Sequence, residues 1–540
     1  MRKGGVVAVV LMGLACSEPT DTVKLAGPGA KVTLSSSAAG RYIVLFKGRD
    51  LPVDADKIVS EAGGTSAALI PQLSAIAVTS SDPDFAAKVA RHKSVEAAGP
   101  DMVISVNPPS INAFANAQQP GSQGPAEPPG RDPQRGSEPL YNQQWDKMRM
   151  NASDDGSYAV QRGREDVFVG VLDTGAEVLP VPHPDIAPNL DFARSRSFLN
   201  LAFGTQGNPN PVEWDDKHGH GSWCASAVAA PINQIGISGV APRVKVVALK
   251  VAFDNGDVSL ISAAFALIYA ANNHLDAVSM SFGGYATHTT DQPIITFVQR
   301  AIDYARSNGV TPVAALGNDN FNLSDGNFFQ SYIEVPGELP GVIGVSATGY
   351  YNRKAYYSNY GVGKADITAP GGAIFEQMPP PPYGGFGGVL GAWSSENLGG
   401  WPGFLLLPNR PGTAETCTPG TGTGPCFMYA YLHGTSMSTP NAAGVVALII
   451  SQYGDFGSTG GQKPHMSPQQ VESILQRTAN NQPCVDNRFL PPNEDLNAYC
   501  QGTAGGYTSF FGKGIVDAFK AVTDGPGSGA ADVPAIRTLQ

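Results

Sequence analysis

The sequence predicts an α/β protein: a mostly parallel sheet with helices on both faces, preceded by a small ferredoxin-like α+β unit. Three observations carry this. Past Gly163, fully apolar runs alternate with helical patterns, which is how strands covered on both faces read. Ahead of them, residues 41–106 order as β-α-β-β-α-β. Between the two lies 107–138, made of Pro, Gly, Gln, Asn and Ser with few apolar residues, which reads as a flexible linker open to proteolysis.

Composition agrees. The chain has 540 residues, enough for a large core and more than one domain. Charged residues are sparse at 15%, while Gly (64) and Pro (44) are plentiful, which suits a compact, loop-rich, exported protein. Net charge is −11, from 35 basic and 46 acidic residues, with no basic run. That argues against a nucleic-acid partner.

The elements follow in order. Arg2 and Lys3 precede an apolar run, Val6 to Leu14, too short to span a bilayer. Residues 1–16 therefore read as an export signal. Ala15 before Cys16 resembles a bacterial lipoprotein signal, although Gly13 stands where Leu is usual. A lipid on Cys16 would be the chain's one link to a membrane; plain cleavage and secretion is the alternative. Residues 17–40 read as a tether. Tyr42–Phe46 is a strand, 53–62 a helix ending at Gly63-Gly64, and 74–78 a second strand. A helix over 83–91 has Asp82 as its cap, and 95–106 supplies the last strand.

The large domain, 139–522, places strands at 167–172, 244–251, 277–281, 310–315 and 342–346, with helices over 258–273 and 294–307. Pro312 is an awkward strand member. A buried helix runs on from Ser436. An insertion, 372–432, rich in Pro, Gly and Trp, borders the cleft or decorates the surface. Residues 523–540 read as a tail. With Cys16 set aside, Cys417 with Cys426 and Cys484 with Cys500 form two local pairs by spacing, other pairings staying open. Cys224 is left over, and its apolar surroundings suggest an inert buried thiol.

Sites in such sheets lie at the carboxyl ends of strands. Asp173 follows strand 167–172, in Val171-Leu-Asp-Thr-Gly175. His218-Gly-His220-Gly221 opens a run of small residues that suggests a buried helix. Leu316-Gly317-Asn318 follows strand 310–315. Gly434-Thr-Ser436-Met-Ser-Thr-Pro440 opens the last helix, where unpaired N–H groups favour an attacking oxygen and a nascent oxyanion. Each has a bland reading: a turn-capping Asp, a structural His, a Gly-Asn turn, and Ser436 as a helix N-cap.

Together, in the order Asp, His, Ser, these motifs resemble the subtilases, the subtilisin-like serine peptidases. Supporting segments are His183-Pro-Asp185, Gly239-Val-Ala-Pro242, Ser279-Met-Ser-Phe-Gly283, Ala369-Pro-Gly371 and Gly512 to Ala518. The resemblance covers about 140–522, and 41–106 looks like the family's inhibitory propeptide, cut from the enzyme within 107–138. Cys224 sits where members of the proteinase K branch carry Cys. By resemblance, Ser436 is the nucleophile, His220 rather than His218 the base, and Asp173 its orienting partner. The Asn318 amide and the Ser436 N–H bind the oxyanion. Ser281, Phe282, Gly283, Leu316 and Gly317 line the substrate pocket, a peptide adding as a strand beside them. Glu334 falls near the pocket base, where a carboxylate favours Lys or Arg before the cut bond; an exposed loop glutamate is the bland alternative.

The resemblance implies a secreted or surface-attached endopeptidase, a monomer acting on proteins and peptides, made as a zymogen with its propeptide as intramolecular inhibitor. No cofactor takes part in the chemistry and no metal ligands are assigned; structural calcium is the one ion entertained. Ala176 and Leu316 depart from the usual pattern without removing a catalytic group. Two rivals remain: a metal-binding protein using Asp215-Asp216-Lys-His218-Gly-His220, and a catalytically inactive subtilase-fold binding protein.

Overall fold

The computed structural model describes residues 22–24, 31–33, 36–106, 136–200, 207–326, 329–373, 387–397, 405–409, 426–457, 465–487, 497–502 and 505–525. The export signal with Cys16, most of the tether and linker, Cys417, and the end of the tail lie outside the described residues.

The N-terminal unit runs β1 (Ser36–Phe46), α1 (Ala55–Glu61), β2 (Thr65–Ile70), β3 (Ala75–Thr79), α2 (Phe85–Val89) and β4 (Val95–Ser105). All pairs are antiparallel in the order β4-β1-β3-β2. Alternate residues face opposite ways along a strand. Tyr42, Val44, Phe46, Ile76 and Val78 therefore pack with Ile58, Val59, Phe85 and Val89 in a core of the unit's own. Ile43, Leu45, Ala75 and Ala77 face the large domain. Asp82 does not cap α2: the helix starts at Phe85, and the Asp82 carboxylate accepts from the Asp84 N–H at 3.0 Å, a local turn.

The large domain is built on seven parallel strands. In chain order they are β5 (Phe168–Asp173), β6 (Arg196–Ser197), β7 (Lys245–Lys250), β9 (Ala277–Met280), β11 (Thr311–Ala315), β13 (Ile343–Thr348) and β14 (Ile367–Pro370). Their order across the sheet is β14-β13-β11-β9-β5-β7-β6. On one face lie α3 (His220–Ala229) and α6 (Thr435–Tyr453), packed on Val169, Val171, Val246, Ala277 and Val313. On the other lie α4 (Leu260–Asn272) and α5 (Gln292–Ser307), packed on Leu172, Val247, Val278 and Ala314. Pro312 fits because pairing of β11 with β13 begins only at Val313. Val258 and Ser259 are not helical: β8 (Asp257–Ser259) precedes α4 and pairs with β4, so a strand of the large domain extends the N-terminal sheet. A two-stranded ribbon, β10 (Gly284–Thr287) with β12 (Tyr332–Val335), lies beyond the end of β9.

The insertion contributes β15 (Val389–Trp393), β16 (Leu405–Asn409) and β17 (Phe427–Leu432), an antiparallel sheet in the order β15-β17-β16. Neither a surface decoration nor a mere rim, it packs against the back of α3. The Trp223 indole donates to the Ala430 carbonyl at 3.0 Å, and the Ala392 N–H to Ser226 Oγ at 2.9 Å. A Cβ on Gly391 would sit 2.5 Å from the Trp223 ring, so only glycine lets strand and helix meet so closely. The Cys484–Cys500 disulfide is present, with its Cα atoms 5.4 Å apart, and Cys224 is a buried free thiol. Among the described residues no helix is long and apolar enough to cross a membrane.

Candidate active site

Asp173 ends the central strand β5 and is fully buried. Its carbonyl accepts from the Val251 and Ala252 N–H groups at 2.9 and 3.1 Å, and its Oδ1 from the Thr174 N–H at 2.7 Å. His220 is the first residue of α3. Its Nδ1 lies 2.8 Å from Asp173 Oδ1 and 3.0 Å from Oδ2, which fixes ring orientation. Two glycines allow this approach. A Cβ on Gly221 would sit 2.2 Å from the Gly175 carbonyl oxygen, and one on Gly175 as close to that of Trp214.

The start of α3 is braced by Asp216. Its Oδ1 accepts from the His218 and Gly219 N–H groups at 3.0 and 2.8 Å, its Oδ2 from the Ser222 N–H and hydroxyl at 2.8 and 2.7 Å. Burial pushes the Asp216 pKa up, but Lys250, His218 and these hydrogen bonds outweigh it and hold the carboxyl below its usual range. Asp215 Oδ1 accepts from the Val178 and Leu179 N–H groups at 2.8 and 3.0 Å. The acids of the metal-binding rival thus hold backbone N–H groups. Among the described residues the one group of three close potential ligands is Asp173, His220 and Cys224, which includes the Asp–His pair itself. Burial drives the Glu177 carboxyl up to about 7, helped by Asp216 and Asp215 and opposed by Ser395 of the insertion. Burial likewise drives His218 down to about 4 against the pull of Asp216.

Ser436 is the second residue of α6, inside the helix rather than its N-cap, which is Gly434. Its Oγ donates to the Ser281 carbonyl at 3.0 Å. Four residues on, Pro440 lacks the N–H that would bond the Ser436 carbonyl. The Cys224 thiol reaches that carbonyl at 3.8 Å and lies 3.8 Å from His220 Nδ1, so one side chain spans both motifs. Burial raises the Cys224 thiol well above its ordinary value, which makes it inert.

Asn318 is oriented by its acceptor end. Oδ1 accepts from the Thr435 N–H and hydroxyl at 2.8 and 2.9 Å. Its donor nitrogen is thereby aimed the other way. A Cβ on Gly434 would lie 3.7 Å from Asn318 Nδ2 and 3.6 Å from Ser436 N, so both donors border one small space. The loop is held by Asn359. Its Nδ2 donates to the Leu316 carbonyl at 2.9 Å, and its Oδ1 accepts from the Asp319 and Phe321 N–H groups at 3.1 and 2.9 Å.

Of the expected pocket residues, Ser281 presents its carbonyl to Ser436 Oγ, Gly283 bridges Ser105, and the Gly317 carbonyl accepts from the Asn359 N–H. Phe282 and Leu316 do not line the pocket with side chains: Phe282 lies in the core beside α4 and α5, and Leu316 packs with Tyr285, Leu323 and Ala365. Glu334 is no exposed loop residue; it is 1% exposed, on β12 opposite Tyr285. The edge at Gly283 is already paired, by an antiparallel bridge to Ser105. Beyond it the Val106 N–H donates to the Gly256 carbonyl at 3.0 Å. The end of β4 therefore runs between β8 and Gly283 as an added strand.

Asp216 and Asn359 escaped the sequence reading. Asp216 stands before Lys217-His218-Gly219, an Asx-turn pattern that would have revealed it. Asn359 acts 41 residues from the loop it braces and leaves no local pattern.

Comparison with known proteins gives the chain's family and fold. The family model described as the subtilase family matches residues 164–497. The M-protease of Shouchella clausii is 29% identical over 313 residues, 58% of this chain and 59% of that protein. Subtilisin DY of Bacillus licheniformis is 28% identical over 316 residues, 58% of this chain and 84% of that protein. The crystal structure of the epidermin leader peptide processing serine protease of Staphylococcus aureus has the same fold. Its TM-score is 0.63 at 20% identity, over 91% of this chain and 99% of that one.

Proposed function

This chain belongs to the subtilase family of serine-type endopeptidases, and on that premise we propose that it is an exported zymogen. It cuts peptide bonds with Asp173, His220 and Ser436, and its N-terminal unit inhibits it until removed. The observation that carries this reading is the His220 imidazole held against both Asp173 oxygens while Cys224 links it to the first turn of α6.

Ser436 Oγ attacks the substrate carbonyl carbon as His220 Nε2 takes its proton. Asp173 holds the tautomer and stabilises the imidazolium. The Asn318 amide and Ser436 N–H stabilise the oxyanion. His220 then protonates the leaving amine, and water, activated the same way, hydrolyses the acyl-enzyme ester. In the present arrangement Ser436 Oγ donates to Ser281; catalytic hydrogen bonds of this kind commonly tighten only with substrate bound.

The strand at Gly283 supports inhibition by the N-terminal unit, because it fills the edge a substrate would use. Residues 1–16 support export, with Cys16 the place of a lipid anchor. Cys224 beneath the imidazole supports kinship with the proteinase K branch. Calcium enters this reading only as a stabiliser. The test is chain length after expression, wild type beside Ser436→Ala. Wild type should split within 107–138 and the variant stay whole. Wild type that folds, stays whole and resists a serine-directed fluorophosphonate would sink the proposal.

A further inference from the structure

A peptide lying along Gly283 with its reacting carbonyl at Ser436 sends the side chain before the cut bond between two walls. One is Ser281–Gly283, whose first carbonyl takes the Ser436 hydroxyl. The other is Leu316–Asn318, with Gly317 at φ +100°. Below them sits the Glu334 carboxylate. A Cβ on Gly283 would lie 1.9 Å from Glu334 Oε1, and one on Gly337 2.5 Å from Oε2. Glycine at both positions lets this buried acid lie against backbone, at the end of the slot the two walls would form around a bound side chain. Tyr285, opposite Glu334 in the ribbon, donates its hydroxyl to a second carboxylate, Asp319, at 2.6 Å. The nearby Lys364 Nζ is 2.5 Å from Glu338 Oε1, while Glu338 Oε2 accepts from the Glu334 N–H at 2.8 Å.

We propose that this slot takes the side chain of a lysine or arginine and that Glu334 is the residue that selects it. The inference rests on the peptidase reading and narrows its substrates. A cation at the slot's end forms a charge-assisted pair with a carboxylate already out of water. An apolar side chain brings no such pair, and a site built to bind a polar group of the substrate rejects ligands lacking it by large factors. The chain's own sequence agrees. The strand that bridges Gly283 ends on Ser105 and Val106, which offer no cation. Within 107–138 the only basic residues are Arg131 and Arg135. Maturation by such an enzyme cuts after one of them. The arginine carbonyl carbon passes from the following residue's nitrogen to Ser436 Oγ, that nitrogen leaves with the proton from His220, and water frees the arginine carboxylate.

The experiment uses matured enzyme and fluorogenic peptides that differ only in the residue before the cut, Arg, Lys, Leu or Phe. The Arg and Lys peptides should exceed the others in kcat/KM by about 100-fold or more. Glu334→Gln should cut that ratio at least tenfold. Because both substrates meet the same preparation, the ratio does not depend on how much of the variant folds. The matured chain should begin at Asp132 or Gly136, and the double variant Arg131→Gln, Arg135→Gln should stay uncut. A wild type preferring Leu or Phe, or a ratio indifferent to Glu334→Gln, overturns the assignment while fluorophosphonate labelling of Ser436 keeps the peptidase reading. No cleavage and no labelling overturns both.

Discussion

Two layers are added to the seven-stranded core, and they are attached in opposite ways. The N-terminal unit has its own apolar core on the far face of its sheet, with Tyr42, Phe46, Ile58 and Phe85. It meets the large domain through its near face and a buried charge: Asp101 accepts from Ser259 Oγ at 2.6 Å and the Ile261 N–H at 3.1 Å, with Arg41 3.3 Å away. Among the described residues, the insertion sheet shares the enzyme's core. Val389, Leu390, Trp393, Met428, Tyr429 and Tyr431 belong to the cluster that contains α3 and α6. A layer with a core on each side of its sheet can leave and stay folded. A layer whose only core is the enzyme's cannot leave without exposing it. The first suits the inhibitor role proposed for it, the second a permanent support for the helix that begins at His220.

The largest test of this contrast is acid. Burial lowers His183 to about 3 and His433 to about 4, as it does His218. All three lie on the insertion side: His183 Nε2 is 3.2 Å from the Met428 carbonyl, the His218 carbonyl takes Asn397, and His433 follows β17. A histidine whose folded pKa is depressed stabilises fully above its unfolded value near 6.5, and that contribution is lost as pH falls through the folded value. At pH 5 each should cost about 2 kcal/mol, together on the order of 6 kcal/mol. Hydrogen exchange at pH 7 and pH 5 should show β15 and β17 loosening before β1 and β3. The contrast breaks if the N-terminal unit opens first.

Next is Trp393→Ala, which removes the ring packed over Gly219. It should lower the stability of the mature enzyme by about 3–5 kcal/mol in denaturant titration. An unchanged midpoint would return the insertion to decoration. Asn318→Ala should touch neither layer yet cost about 3 kcal/mol in kcat/KM, the magnitude found for the corresponding amide of subtilisin; a change confined to KM would refute its place at the oxyanion. The smallest effect is Asp101→Asn, which should loosen the cut N-terminal unit by about 1–3 kcal/mol. Its dissociation should quicken while the mature enzyme melts as before; a shifted melting point would mean the two layers are not independent.

The core was legible because its strands are apolar on both faces, as in Val167–Leu172, and the helices between them are long. The places of Asp173, His220 and Ser436 at strand and helix ends were legible because short motifs mark those ends. The insertion sheet was not. Its strands are short, antiparallel and separated by Pro- and Gly-rich stretches, and what identifies them is contact with Trp223, far away in sequence. Phe282 was placed by resemblance alone, and the packing of its side chain with α4 and α5 depends on contacts distant in sequence. Val258–Ser259 looked helical because their partner strand lies more than 150 residues earlier.

On the proposed zymogen reading, the strand at Gly283 also sets how the enzyme is switched on. While it is joined to the large domain it competes as an intramolecular ligand, at an effective concentration in the millimolar range. A single cut in the connection changes no contact at the cleft. It lowers the competitor's concentration to that of the protein itself, about a thousandfold at micromolar levels, equivalent to about 4 kcal/mol of binding. Activation is then governed by dilution: a crowded preparation stays inhibited after every chain has been cut, and a dispersed one does not.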